Sequence, residues 1–210
     1  ALAVRQIQKV YGDDAVCLVL AADHLISNDM AFENAVEQAA ELTQVGNLVV
    51  FGILPTAPET GYGYLEVAAA VDVPQPLQSF VEKPDRATAE KYLAEGRYYW
   101  NSGMFCFTAD VMAKNIAMHA GVVWTASEIA FNKAKEDNGI IRFEEASFVD
   151  QPNISIDYAV MENAENISMV PASFGWSDVG SWDAVAKAHV SDKDNISAVG
   201  TDKVHFVKSR

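Results

Sequence analysis

The chain has 210 residues, half of them hydrophobic, with 29 acidic against 15 basic side chains and a formal charge of −14. That length supports one sizeable core, and the composition excludes a disordered chain. Without a Lys/Arg cluster the acidic balance also excludes a sequence-independent nucleic-acid binder. An anionic ligand would need a divalent cation, a helix N-terminus or a few focused basic groups.

The first segment, ALAVRQIQKVYG, is helical in pattern, with Leu2, Ile7 and Val10 on an apolar stripe and Gly12 placed to end it. AVCLVLAADH follows as the continuous apolar run expected of a strand buried on both faces, and it stops at Asp23 and His24. SNDMAFENAVEQAAELTQVG offers Asn28 or Asp29 as N-cap, Phe32, Val36 and Ala40 at helical spacing, and Gly46 as the stop. NLVVFGIL reads as a second buried strand. This strand, helix, strand order predicts an α/β fold with a mostly parallel sheet and helices on both faces. Ligands in such sheets bind beyond the carboxyl ends of the strands, which is where Asp23 stands.

From residue 55 a Pro- and Gly-rich loop leads into short strand candidates. Within it, Thr60-Gly61-Tyr62-Gly63-Tyr64 is either a tight turn with two aromatic packers or a place where backbone approaches a ligand. It lacks the third glycine of a dinucleotide fingerprint, and the chain has no Gly-Lys-Ser/Thr phosphate loop. In SFVEKPD the strand residues Phe80 and Val81 are halted by Pro84, which has no N–H to donate. Glu82 and Lys83 therefore form either a solvated strand end or the rim of a site that handles both hydroxyls and phosphates.

Asp85 caps the helix RATAEKYLAEG, with Gly96 at C′. YYWNSGMFCFT reads as a strand entered through a polar turn. Its Asn101 either bonds its own backbone or, beside Glu82, completes a donor and acceptor set for sugar hydroxyls. Helical patterns cover 109–119 and 125–137, and NISIDYAVMEN is helix-like. GWSDVGSWDAV places Asp178 in a turn between two tryptophans, ahead of a helix that Ser181 caps. Asp178 is either a carboxylate of that turn or, with Asp23, a ligand of one Mg²⁺ whose other ligands are phosphate oxygens and water.

Cys17 and Cys106 lie in apolar runs and read as packed free thiols, which points to a reducing compartment. The four histidines show no metal-binding spacing, and no Gly-x-Ser-x-Gly elbow is present. No signal peptide is visible, and no apolar run approaches the roughly 20 residues of a membrane span. The expectation is a cytoplasmic protein with no membrane partner.

Taken together, AADH, PTAPETGYGY, FVEKP, WNSGMF, NISIDYAVME and GWSDVGSW occur in an order and spacing that resembles the mannose-1-phosphate guanylyltransferases. The SIDYAVME and WSDVGSW forms resemble the bacterial type, often fused to a phosphomannose isomerase domain. The resemblance implies a Rossmann-like nucleotidyltransferase domain over 1–190, with 191–210 the start of a small β-helical region. It implies transfer of GMP from GTP to mannose 1-phosphate, giving GDP-mannose and pyrophosphate, with Mg²⁺ as cofactor and no protein nucleophile.

Carried onto this sequence, the resemblance makes Asp23 and Asp178 the Mg²⁺ ligands. Glu82 would accept from mannose hydroxyls, and Lys83 would neutralise the sugar phosphate. Gly63 would let backbone meet the sugar, Asn101 would bind a hydroxyl, Asp157 would support the sugar side, and His24 would be an orienting neighbour. A homodimer is compatible with this reading. Two departures stand out: Ala21 replaces a proline usual in the family, and the family's N-terminal Gly-rich loop with its Arg should precede Ala1. The chain is therefore expected to be an N-terminally truncated domain, inactive alone. Competing expectations are a non-catalytic sugar-phosphate-binding or regulatory paralogue, and an enzyme of the same fold for another sugar or nucleotide.

Overall fold

The structure, a computed structural model, describes residues 1–147, 149, 151–182 and 184–185. The expected β-helical start at 191–210 lies outside the described residues, as does most of the helix expected after Ser181. In chain order the elements are α1 (Leu2–Tyr11), β1 (Val16–Val19), α2 (Asp29–Thr43), β2 (Leu48–Ile53), β3 (Tyr64–Glu66), β4 (Gln75–Pro76), β5 (Ser79–Val81) and α3 (Arg86–Glu95). There follow β6 (Tyr98–Thr108), α4 (Ala109–His119), α5 (Gly121–Lys133), β7 (Lys135–Asp137), β8 (Ile140–Arg142), a 3₁₀ turn (Glu145–Ser147), one π-helical turn (Asp157–Met161) and β9 (Ile167–Ala172).

Period-two alternation divides the core between the two faces of the main sheet. Leu48 and Val50 of β2, with Phe105 and Phe107 of β6, face Val4 of α1, Met112 and Ile116 of α4, and the π turn. Val49 and Phe51, with Met104 and Cys106, face Ala35 and Ala39 of α2. A third cluster sets Ala89 of α3 against Tyr64, Tyr98 and Trp100. Helices thus cover both faces, as the strand and helix order implies.

The sheet is mixed, with order β4-β9-β2-β6-β3-β5 and β1 also on β6. Its parallel share is smaller than expected: β2 runs parallel to β9, whereas β6 runs antiparallel to β1, β2 and β3. The 11-residue β6 is the shared antiparallel partner of all three of these short strands. β1 is correspondingly an edge strand. Cys17 is buried, but Val16 and Val19 are exposed, so this apolar run is not covered on both faces.

Cap chemistry fixes several boundaries. Asn28 and Asp85 accept from the backbone N–H groups of Ala31 and Thr88, and Thr108 accepts from Val111. Gly96 adopts φ 70° at the end of α3, the left-handed cap a side chain would resist. Two expectations shift. On α1 the buried residue is Val4, with Val10 exposed, because that helix leans on α4 and α5 through Val4 and Arg5, whose guanidinium binds Ser127 and the Trp124 carbonyl. The second helical pattern stops at Lys133, since Asn138 and Gly139, both at positive φ, turn the next residues into the β7–β8 hairpin.

Candidate active site

β6 brings the site together. On one edge it pairs with β1, ending at Val19 opposite Phe105, and then with β3, starting at Tyr64 opposite Trp100. Residues 101–104 between those two ladders have no strand partner on that edge. The loop after β1, carrying Asp23 and His24, and the Gly61–Gly63 loop before β3 therefore converge on one gap. The N–H of Asn101 still reaches the Gly63 carbonyl at 2.8 Å. Within the gap, the side chain of Asn101 accepts from the N–H of Gly103, which sits at φ 72°, and Ser102 Oγ accepts from Met104 N–H.

Asn101 is accordingly in mid-strand and buried, rather than in an entry turn. Its Nδ2 donates to Asp157 Oδ1 at 3.1 Å, so most of its amide is committed to holding Asp157. Asp157 comes from the π turn, a helical form often found at functional sites.

A cavity of about 260 Å³ occupies the gap, lined by Gly63, Glu82, Lys83, Asn101, Asp157 and Asp178 among others. With His24, seven of the eight residues given site roles from the sequence thus meet in one place. Asp23 is exposed and outside the lining, one residue before His24, which is within it.

Glu82 is the most constrained group. Its side chain is 7% exposed, and Lys83 Nζ lies 3.2 Å from Oε1. Oε2 is buried with no hydrogen-bond partner, which is costly unless a ligand completes it. Burial, and then the nearby charge of Asp157, push the Glu82 carboxyl above its ordinary range, against the pull of Lys83. Gly63 makes this arrangement possible, because a Cβ there would fall 2.5 Å from Oε2. Lys83 itself sits at φ 48°, a left-handed conformation that costs a non-glycine residue about 1–3 kcal/mol.

Asp178 occupies the other end. Tyr62 Oη donates to its Oδ1 at 2.9 Å, and the Tyr62 ring lies edge-on between Trp100 and Trp176, at 5.2 and 5.6 Å. Burial, then this hydrogen bond, push the Tyr62 phenol well up. Asp178 Oδ2 is accommodated by Gly180, where a Cβ would fall 2.5 Å from it, and Val179 between them is held at φ 50°. For a β-branched residue that is an outlier, so the turn stores strain beside the carboxylate.

Paired backbone hydrogen bonds between Leu25 and Ser177 lay the two aspartate-bearing segments side by side. Among the described residues no three His, Cys, Asp or Glu side chains cluster as a metal cage. Two carboxylates on paired segments suit a hard cation that draws its remaining ligands from phosphate and water, so these residue types fit Mg²⁺.

Sequence reasoning left out Tyr62, Trp176 and Glu162. Trp176 Nε1–H donates to His24 Nδ1 at 3.1 Å; because indole only donates, this bond leaves the proton of a neutral His24 on Nε2. The Gly-Tyr-Gly spacing was the available signal for Tyr62, since a tyrosine next to the close-approach Gly63 sits beside whatever that glycine approaches. Cys17 and Cys106 are buried free thiols, as expected, and burial pushes the Cys106 thiol up to about 11.

The sequence profile of the nucleotidyl transferase family matches residues 1–195. The chain belongs to that family. Among relatives, it is 42% identical to a mannose-1-phosphate guanylyltransferase of Klebsiella pneumoniae across 98% of this chain, and 44% identical to one from Escherichia coli across 92%. It spans less than half the length of these relatives, 44% and 41% respectively. A solved Thermus thermophilus protein described as a mannose-1-phosphate geranyltransferase superposes with a TM-score of 0.76 at 35% identity, over 88% of this chain and 52% of that one. The nucleotidyl transferase fold therefore frames the cavity. Among the described residues, no helix is long and apolar enough to cross a membrane.

Proposed function

We propose that this nucleotidyl transferase domain binds mannose 1-phosphate in the cavity between β6, the Gly61–Gly63 loop and the Glu82–Lys83 turn, and serves transfer of GMP from GTP to that sugar phosphate. The observation that carries the reading is the buried, unpartnered Oε2 of Glu82 with a lysine on the same turn. A carboxylate acceptor for hydroxyls beside a cation for phosphate is the complement of a sugar 1-phosphate. The names of the Klebsiella and Escherichia relatives supply mannose and guanine.

In this reading a phosphate oxygen of mannose 1-phosphate forms a bond to the α-phosphorus of GTP while the α–β bridging bond breaks and pyrophosphate leaves. No proton changes hands and no side chain is modified, so catalysis rests on placement and charge. Glu82 and Asp157 accept from sugar hydroxyls, and Asn101 holds Asp157 in place. Lys83, half-exposed on its strained turn, meets the phosphate. Asp178, braced by Tyr62, and Asp23 would hold Mg²⁺. When bound, the ion would neutralise charge on the nucleotide phosphates.

Two substitutions test the sugar-phosphate assignment by calorimetric titration. Lys83→Ala is expected to weaken mannose 1-phosphate binding roughly tenfold, with free mannose unaffected, because the lost contact is to phosphate. Equal losses for both ligands would contradict the assignment. Gly63→Ala is expected to displace the Glu82 carboxylate and weaken both ligands about equally, since its Cβ would take the space of Oε2; undiminished mannose binding would contradict the cradle.

A further inference from the structure

Glu82 is the residue after β5, and Pro84 prevents the ladder from continuing. Its own N–H is left to find another acceptor, and that acceptor is Glu162 Oε1 at 2.9 Å, 80 residues later. Glu162 closes the π turn: its N–H donates to the carbonyl of Asp157 at 2.9 Å, an i→i+5 bond. In an α-helix, residues five apart point about 140° away from each other. The wider π turn returns to nearly the same face after five residues, so Asp157 and Glu162 can address one target.

We propose that Glu162 is a positioning residue for sugar recognition: through the Glu82 N–H it holds the strained Glu82–Lys83 turn in register with Asp157, making the π turn the back wall of the sugar subsite. The inference rests on the proposed mannose 1-phosphate site. Three contacts converge on it. Glu162 fixes the Glu82 main chain, Asn101 fixes Asp157, and the Asp157 charge acts on the buried Glu82 carboxyl. Lys83 at φ 48° gives the turn a reason to relax if the bond is lost. Glu162 reaches the ligand only through Glu82, so it is not itself a catalytic residue.

The test compares Glu162→Ala and Glu162→Gln with the parent chain, using calorimetric titration of mannose 1-phosphate together with amide hydrogen exchange at Glu82. Glutamine keeps an acceptor oxygen at the same length. Glu162→Ala is expected to bind roughly tenfold more weakly and to speed exchange of the Glu82 N–H, whereas Glu162→Gln stays within about twofold of the parent in binding. Glu162→Met, of similar length without the acceptor, makes the same comparison should the alanine variant fail to fold. Parent-like binding by the alanine or methionine variant would overturn the inference, and so would a glutamine variant as weak as alanine. If the parent chain itself bound no mannose 1-phosphate, the proposed function would fall, and this inference with it.

Discussion

Replacing Glu82 by glutamine is expected to weaken mannose 1-phosphate binding by roughly 10- to 100-fold while leaving the fold at least as stable as the parent. The binding loss follows from removing a charged acceptor whose Oε2 has no hydrogen-bond partner within the protein; hydrogen bonds to charged groups are the stronger class. The stability gain follows from the same burial. A carboxylate with one unpartnered buried oxygen is harder to ionise in the folded chain than in the unfolded one.

The sign of the pH effect is then set. Because the folded carboxyl is raised above its ordinary 4.5, its contribution to stability is full below about pH 4.5 and is lost as pH rises through the folded value. Glutamine does not titrate. The melting-temperature difference, variant minus parent, should therefore be smallest near pH 4 and larger at pH 7, as measured by calorimetric melts at both. A variant that melted lower than the parent at pH 7 would place Glu82 among the groups that hold the fold together rather than those that bind.

Asp178→Asn is the second large effect. Asparagine keeps an Oδ1 that can accept from Tyr62, so the aromatic brace and the turn survive while the charge is removed. On the proposed function, formation of GDP-mannose is expected to fall by roughly 100-fold or more, a loss in the range of other charge-stabilising groups at reacting centres. Mn²⁺ binding in the presence of GTP, read by electron paramagnetic resonance, should fall in parallel. Metal-free mannose 1-phosphate binding should change little, because the proposed sugar contacts are those of Glu82 and Asp157. Undiminished Mn²⁺ binding by the variant would remove Asp178 from the metal assignment.

How much of this was legible in the sequence varies with the range of the interaction involved. Local chemistry read well: Asn28, Asp85 and Gly96 mark helix ends through contacts three or four residues away. Pro84 marks the end of β5 for the same kind of reason, and Gly63 reads as a close-approach position. Residues that depend on long-range pairing did not read. Asn101 looked like a turn residue because Asn-Ser-Gly is turn chemistry, yet β6 continues through it, its loose amides tied down by its own side chains. The exposure of β1 was invisible because an apolar run does not say how many neighbours will cover it. Glu162 stood in the sequence only as the last residue of the SIDYAVME form, with no sign of a site role, since its partner is 80 residues away and only the π turn aims it there.

The account as a whole turns on whether the cavity between β6 and the Glu82–Lys83 turn takes a sugar 1-phosphate, and a phosphorus NMR titration of mannose 1-phosphate into the chain tests that most directly. The expected result is a shifted phosphorus resonance that saturates at one equivalent in the parent chain and is strongly reduced in the Glu82→Gln, Lys83→Ala double variant. A titration with no shift in the parent, or one that the double variant reproduces unchanged, would contradict it.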